Sequence, residues 1–299
     1  MQLATPQPFL GLEDCVTENA PLAPLTWYKI GGPAKYLVRP KSVEQLQQAS
    51  RRCVEHGIPI YVLGFGANVL ITDNGVPGAV FRFDDPFWEK VETDGSTVTA
   101  GAGADMARMV VNLARAGLAG FECMAGIPGT IGGGIRMNAG GKFGDIGSFV
   151  TRVTVMDSHG EIFDRTKDDL VFEYRKTNIV APFILGATLE LDEDEPDAIA
   201  HRTKEIWMYK RNTQPLNTKN CGCVFKNPRG ISAGALIDQA GLKGTKVGQA
   251  EVSDKHANFI VAKAGATAAD VLGLVKLIQD KVYDKHKVLL ESEVRIWPL

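Results

Sequence analysis

The sequence predicts an α+β chain of two domains. Three observations carry this reading. The chain has 299 residues, enough for more than one core. Helical and strand-like stretches come in separate runs rather than in strict alternation. A glycine-dense stretch and, further on, a polar-faced helix break the apolar pattern. With 44% hydrophobic and 23% charged residues and a net charge of −2, the composition is that of an ordinary globular protein. A general nucleic-acid binder would carry a basic stripe, so no nucleic-acid partner is expected. No stretch approaches the roughly 18 uninterrupted apolar residues of a membrane span. The N-terminal 23 residues lack the basic start and apolar run of a secretory signal. The five cysteines (Cys15, Cys53, Cys123, Cys221, Cys223) are scattered and odd in number, which fits a reducing compartment. Around Cys221-Gly222-Cys223 none of the five histidines has ligand spacing, so no metal site is expected.

Residues 1–26 are Pro-rich and aperiodic and read as an extended arm. Two domains are then expected, over 27–195 and 196–299. A short strand falls at 34–38. Ser42 is placed to cap a helix with Val43, Leu46, Ala49, Cys53 and Val54 on one face. Strands are expected at 59–63 and 68–72, joined by a turn at 64–67. Residues 79–83 and 97–100 alternate as strands do. Met106, Met109, Val110 and Leu113 share a helix face, and Gly117 is placed to end that helix. Residues 150–164 read as a hairpin turning at Ser158-His159-Gly160, and 183–191 as a strand. The polar-faced helix at 196–211 marks the expected boundary. Beyond it lie a helix at 233–240, a strand at 257–262 and a long helix at 268–282. Thr267 and Asp270 form a capping box for that last helix, whose stripe is Val271, Leu274, Val275, Ile278 and Val282.

The glycines carry the first chemical signal. Gly101-Ala102-Gly103 resembles a dinucleotide fingerprint, but Met106 replaces the third glycine and no βαβ unit with a ribose acid follows. No Gly-Lys-Ser/Thr phosphate loop occurs. In Gly64-Phe65-Gly66-Ala67-Asn68, successive backbone N–H groups can form an anion nest for a pyrophosphate. The stretch from Gly126 to Gly134 can lay bare backbone against a flat ring. Each also reads as a tight turn. Together they point to a phosphate-containing cofactor.

Longer segments resemble one family. They are Asn19-Ala-Pro-Leu-Ala-Pro-Leu-Thr26 with Ile30-Gly-Gly-Pro-Ala34; Leu63-Gly-Phe-Gly-Ala-Asn-Val-Leu70; Ala125-Gly-Ile-Pro-Gly-Thr-Ile-Gly-Gly133 with Met137-Asn-Ala-Gly140; and Phe172-Glu-Tyr-Arg175. Further on come Gly222-Cys-Val-Phe-Lys-Asn-Pro228, Lys255-His-Ala-Asn-Phe-Ile260 and Leu290-Glu-Ser-Glu-Val-Arg295. In this order and spacing they are similar to the UDP-N-acetylenolpyruvoylglucosamine reductases of bacterial wall synthesis, in their shorter form.

The resemblance implies an FAD-binding domain of the vanillyl-alcohol-oxidase/PCMH type and a smaller α+β substrate domain, whose C-terminal strand returns to the active site. It implies NADPH as reductant, UDP-N-acetylglucosamine enolpyruvate as substrate and a cytoplasmic location. Hydride passes from flavin N5 to the enolpyruvyl C3, and a proton to C2. The implied cofactor contacts are Gly64, Gly66, Ala67, Asn68, Val69, Gly126, Ile127, Gly129, Thr130, Gly132, Gly133 and Asn138.

The chemistry asks for three groups. Negative charge builds on the substrate carboxylate and calls for a fixed cation. Arg175 matches the family's arginine, and its fork suits two carboxylate oxygens. Glu293 matches the glutamate that helps polarise the enol, chosen over Glu291 by motif alignment. Cys223 stands where many members have serine as the proton donor to C2. A thiol, with an ordinary pKa of about 8.5, gives up its proton more readily than an alcohol. Its donor role implies a rate that falls in alkaline solution, and sensitivity to peroxide. Tyr174, Lys226 and Asn227 are the implied substrate contacts. Cys221 receives no role, and His256 reads as a structural histidine. Two other readings stand beside this one: a PCMH-type flavin oxidase of an alcohol or lactone, and a flavin-binding protein without catalysis.

Overall fold

The computed structural model describes residues 8–298. Its contacts gather into two compact units. The first holds 8–20, Ala34–Gly64 and Pro77–Ile206, and the second holds Pro21–Pro33, Phe65–Val76 and 207–298. This differs from the contiguous division at 195/196 expected from sequence. Two N-terminal segments pack with the C-terminal third. The change of unit falls inside the helix expected to mark the boundary, Pro196–Thr213.

The first unit carries two sheets. In one, the strands run Val16–Pro21, Pro33–Val38, Val76–Phe81, Ile60–Val62, with the last two parallel. Helix α1 (Val43–Glu55) covers it. The Ser42 side chain caps α1 by accepting the Gln45 N–H, and Leu46, Ala49 and Cys53 are buried as the stripe requires, while Val54 is exposed. The expected arm is a correction. Residues 1–7 lie outside the described residues, but Val16–Pro21 is a sheet strand, and Phe9, Leu12 and Cys15 are buried in the core beneath α1. Prolines and polar neighbours hid a segment held by a few large side chains.

The other sheet is antiparallel, in the order Ile162–Thr166, Val150–Met156, Phe183–Glu190, Thr97–Gly101, Val91–Asp94. Helix α2 (Met106–Arg115) buries Met106, Met109, Val110 and Leu113 in the core beside it. Each such side chain contributes about 1.5–3 kcal/mol by leaving water. Gly117, at φ +74°, follows the helix end as expected. The paired glycines of 101–103 serve packing. A Cβ on Gly101 would sit 2.2 Å from the Trp88 carbonyl oxygen, and one on Gly103 2.1 Å from that of Phe83.

The second unit is built on its longest helix, Ala268–His286. Thr267 and Asp270 form the expected capping box, and Val271, Leu274, Ile278 and Val282 are buried, with Val275 partly so. The Asp73 carboxylate reinforces this end by accepting the Ala268 and Ala269 N–H groups at 2.9 and 3.1 Å. A three-stranded antiparallel sheet (Lys246–Val247, Ala250–Val252, Ile260–Ala262) and the helix Ala233–Gln239 complete the core. The strand Arg295–Trp297 pairs in parallel with Val69–Ile71. The strands expected at 59–63 and 68–72 therefore do not form a hairpin. Ile60–Val62 joins Val76–Phe81, while Val69–Ile71 joins the C-terminal strand.

Candidate active site

In the first unit the two glycine stretches meet. A Cβ on Gly64 would lie 2.8 Å from Thr130 Oγ1, so only a bare backbone permits this approach. Thr130 in turn caps the short helix Ile131–Arg136 by accepting the Gly133 N–H at 3.3 Å. Gly132 to Gly134 are helical. Packing is the reason: a Cβ on Gly132 would stand 3.1 Å from the Ala102 Cβ, and one on Gly134 2.7 Å from Met106 Sδ. The accessible backbone of this stretch is Gly126 to Gly129, with Gly126 at φ +71°, together with the partly exposed Gly132 and the exposed Gly133.

Arg175 sits at the tip of a small hairpin. Phe172–Glu173 and Lys176–Thr177 pair antiparallel, leaving Tyr174 and Arg175 as the turn. Arg175 holds φ +58°, a left-handed conformation that costs a residue with a Cβ about 1–2 kcal/mol. Its guanidinium lies 5.1 Å from the centroid of the Tyr174 ring, whose residue is 52% exposed. Asn138 is buried at the base of this hairpin. Its Nδ2 donates to the Glu173 carbonyl and its Oδ1 accepts the Gly147 N–H, both at 3.0 Å. Arg136 donates to the carbonyls of Ile179, Ala181 and Pro182, which fixes the chain beyond the hairpin.

In the second unit the backbone brings the Cys223 segment beside Glu293. The Glu293 N–H donates to the Val224 carbonyl at 2.8 Å, the Lys226 N–H donates to the Glu291 carbonyl at 2.9 Å, and Phe225 bridges Ser292 antiparallel. Cys223 is half-buried and follows Gly222 at φ +73°. Cys221 is fully enclosed, donating its thiol to the Val69 carbonyl at 3.1 Å, and burial pushes that thiol up to about 12. Lys226 Nζ pairs with the Glu291 carboxylate. Asn227 Oδ1 accepts the Ala233 N–H at 3.0 Å at the start of its helix. Asn68 Nδ2 donates to the Glu293 carbonyl at 3.2 Å, and its own carbonyl accepts the Arg295 N–H at 3.1 Å. Gly66, at φ +66°, leaves no room for a Cβ, which would fall 2.5 Å from the Leu25 carbonyl oxygen.

Most of these residues lie in segments with known counterparts. Residues 34–165 match the family described as FAD binding domain, and residues 214–297 match UDP-N-acetylenolpyruvoylglucosamine reductase, C-terminal domain. The UDP-N-acetylenolpyruvoylglucosamine reductase of Bacillus licheniformis is 37% identical over 94% of this chain and 93% of its own length. UDP-N-acetylenolpyruvoylglucosamine reductase 2 of Symbiobacterium thermophilum is 40% identical over 93% of this chain and 90% of its own. The chain belongs to the UDP-N-acetylenolpyruvoylglucosamine reductase family. The crystal structure of UDP-N-acetylenolpyruvylglucosamine reductase from Thermus caldophilus superimposes with a TM-score of 0.81 at 37% identity, covering 93% of this chain and 98% of that one. The fold is therefore a PCMH-type FAD-binding domain with a second α+β domain, and the chain is an FAD-dependent oxidoreductase.

Within this family fold, sequence reasoning found the segments but not the side chains that brace them. Asn138 and Asn68 were expected at the cofactor. Their side-chain amides also hold the backbone of Glu173 and Glu293. Asn258 and Asn220 received no role, yet both bond the chain on either side of Cys223. The signal was present for Asn258, which lies in a quoted motif beside a histidine that drew the attention. Among the described residues no cluster of His, Cys, Asp and Glu has the makings of a metal site, and no helix is long and apolar enough to cross a membrane.

Proposed function

We propose that this chain reduces UDP-N-acetylglucosamine enolpyruvate to UDP-N-acetylmuramate in the cytoplasm, with NADPH as reductant. The observation that carries this most directly is the Glu293 N–H bond to the Val224 carbonyl, which sets a carboxylate-bearing residue alongside the thiol-bearing segment. The residues of the first unit fit FAD. A Cβ on Gly64 would close the approach to Thr130, and the backbone from Gly126 to Gly129 is partly accessible, as a close cofactor contact requires. Gly64, Gly126, Ile127, Gly129, Thr130, Gly132, Gly133 and Asn138 would hold it there, and in the second unit Gly66, Ala67, Asn68 and Val69 carry the same assignment. When bound, FAD relays hydride from NADPH to C3 of the enolpyruvyl group.

The chain's own residues do the rest. Arg175 offers its fork to the substrate carboxylate as negative charge builds there. Its left-handed backbone at a two-residue turn sets the direction of the side chain before substrate arrives. Glu293 polarises the enol ether. Cys223 gives its proton to C2, so the rate falls in alkaline solution as the thiol ionises. A positioned general acid is worth about 10²–10⁴-fold. Tyr174, Lys226 and Asn227 bind the remainder of the substrate. Lys226 exchanges its Glu291 partner for a substrate anion in doing so.

The test is anaerobic mixing of flavin-loaded protein with NADPH, with and without the enolpyruvyl sugar. Oxidation of NADPH beyond one flavin equivalent only with the sugar establishes the activity. One equivalent regardless of the sugar rejects this substrate. Cys223→Ala separately tests the donor, which near-full turnover would refute.

A further inference from the structure

We propose that Asn258 is the positioning residue for Cys223, an inference that rests on the donor role given above. The peptide amide leaving Cys223 is the Val224 N–H, and it donates to the backbone carbonyl of Asn258 at 2.8 Å. The next residue is clasped on both backbone groups by the Asn258 side chain. Oδ1 accepts the Phe225 N–H at 2.9 Å, and Nδ2 donates to the Phe225 carbonyl at 2.8 Å. Asn258 is 2% exposed and Phe225 1%, so no water competes for these bonds. Residues Val224 to Lys226 are not a regular strand of any sheet. On one flank they bond Glu291 and Glu293, and on the other a single carboxamide stands in for the missing strand. No aliphatic or acidic side chain of this size offers both a donor and an acceptor in one plane.

The consequence concerns direction more than stability. Gly222 enters Cys223 with its N–H on Asn220 Oδ1 at 2.9 Å, and Asn258 fixes the chain as it leaves. The Cα–Cβ bond of Cys223 is thereby aimed by two buried amides. Loss of the second lets the thiol wander while Arg175, the glycine stretches and FAD retention stay untouched. The half-reaction that takes the proton slows, and the half-reaction that loads the flavin does not.

The experiment compares Asn258→Ala and Asn258→Asp with the parent holoenzyme. Asp keeps shape and acceptor but loses the donor. Stopped-flow mixing with NADPH reads flavin reduction, and mixing of the reduced enzyme with the enolpyruvyl sugar reads its reoxidation. Expected are an unchanged first rate and a second rate lowered about 10- to 100-fold, the scale of a misplacement near 1 Å. The alkylation rate of Cys223 by iodoacetamide, read by mass spectrometry, should shift while that of the other thiols does not. In a Cys223→Ala background, Asn258→Ala should add little further loss, since both act through one thiol. A second rate within twofold of the parent overturns the inference. So does a fully additive loss, or a loss of FAD and of both rates together in both variants. If Cys223→Ala itself keeps its reoxidation rate, the donor reading falls and this inference with it. A slow Cys223→Ala beside a fast Asn258→Ala rejects only the inference.

Discussion

Asn138 donates its side-chain amide to the carbonyl of Glu173, 3.0 Å away and two residues before Arg175. The same carboxamide accepts the Gly147 N–H, and a Cβ on Gly147 would collide with the Phe172 ring at 2.4 Å. A hairpin with only two residues per strand is thus held by a side chain from the turn that follows the helix Ile131–Arg136. Asn138→Ala leaves the Gly147 N–H and the Glu173 carbonyl without their partner in these part-buried bonds and should cost about 1 kcal/mol. Urea unfolding of the variant should show a lower midpoint with an unchanged slope. A midpoint equal to the parent's would mean that water or a shifted chain replaces the amide.

Gly64→Ala brings a methyl to 2.8 Å from Thr130 Oγ1, against a buried threonine that caps the next helix. Relief requires a shift of one loop, at about 1–3 kcal/mol. The flavin-to-protein absorbance ratio after gel filtration should fall. Gly141→Ala, with nothing within 4 Å of its new methyl, should keep the parent ratio. Equal retention in both variants would separate the Gly64 approach from cofactor binding.

The thiols should react in a fixed order. Burial pushes Cys15 up to about 11 and Cys53 and Cys221 up to about 12, and Cys123 is buried as well. Cys223 is the half-buried exception. At pH 8, brief iodoacetamide treatment of the native protein should modify Cys223 first, and denaturant should open the rest. Peroxide should inactivate the enzyme through the same residue, and Cys223→Ser should resist it. Peptide mapping that finds another cysteine modified first would contradict this order.

His256 accepts the Asn258 N–H on Nδ1 at 3.2 Å, and burial, with a smaller push from Lys243, holds its pKa below the ordinary histidine range. The unfolded chain therefore takes up this proton first as the pH falls. The histidine's contribution is complete above about 6.5 and is lost as the pH drops from there toward the lower folded value. His256→Gln should show a smaller stability difference between pH 7.5 and pH 5.5 than the parent in urea titrations. Equal differences would assign the acid sensitivity to other groups.

How far the sequence was legible follows from how local each signal was. Helix α2 and the helix Ala268–His286 announced themselves through periodic apolar side chains, and Thr267 and Asp270 through a cap written within four residues. The Arg175, Cys223 and Glu293 segments were legible as motifs. What lay hidden was tertiary. Val16–Pro21 is a strand because neighbours pair with it, against its own polar pattern. Gly132 to Gly134 are helical because Ala102 and Met106 press against them, which overrides the poor propensity of glycine. The pairing of Val69–Ile71 with the C-terminal strand leaves no trace in either segment. The bracing asparagines were hidden for the same reason, since a carboxamide that bonds backbone carries no periodicity.

The parallel pairing of Val69–Ile71 with Arg295–Trp297 also bears on how the protein is made. Asn68 and Glu293, which it brings together, are 225 positions apart in the chain. On the ribosome, the loop from Gly66 to Val69 emerges early and waits for its partner strand through most of translation. The α2 core can close with residues already synthesised, but this loop cannot. A nascent chain is thus unable to complete the pairing of Val69–Ile71 until Trp297 has left the exit tunnel, so this part of the second unit is among the last to form.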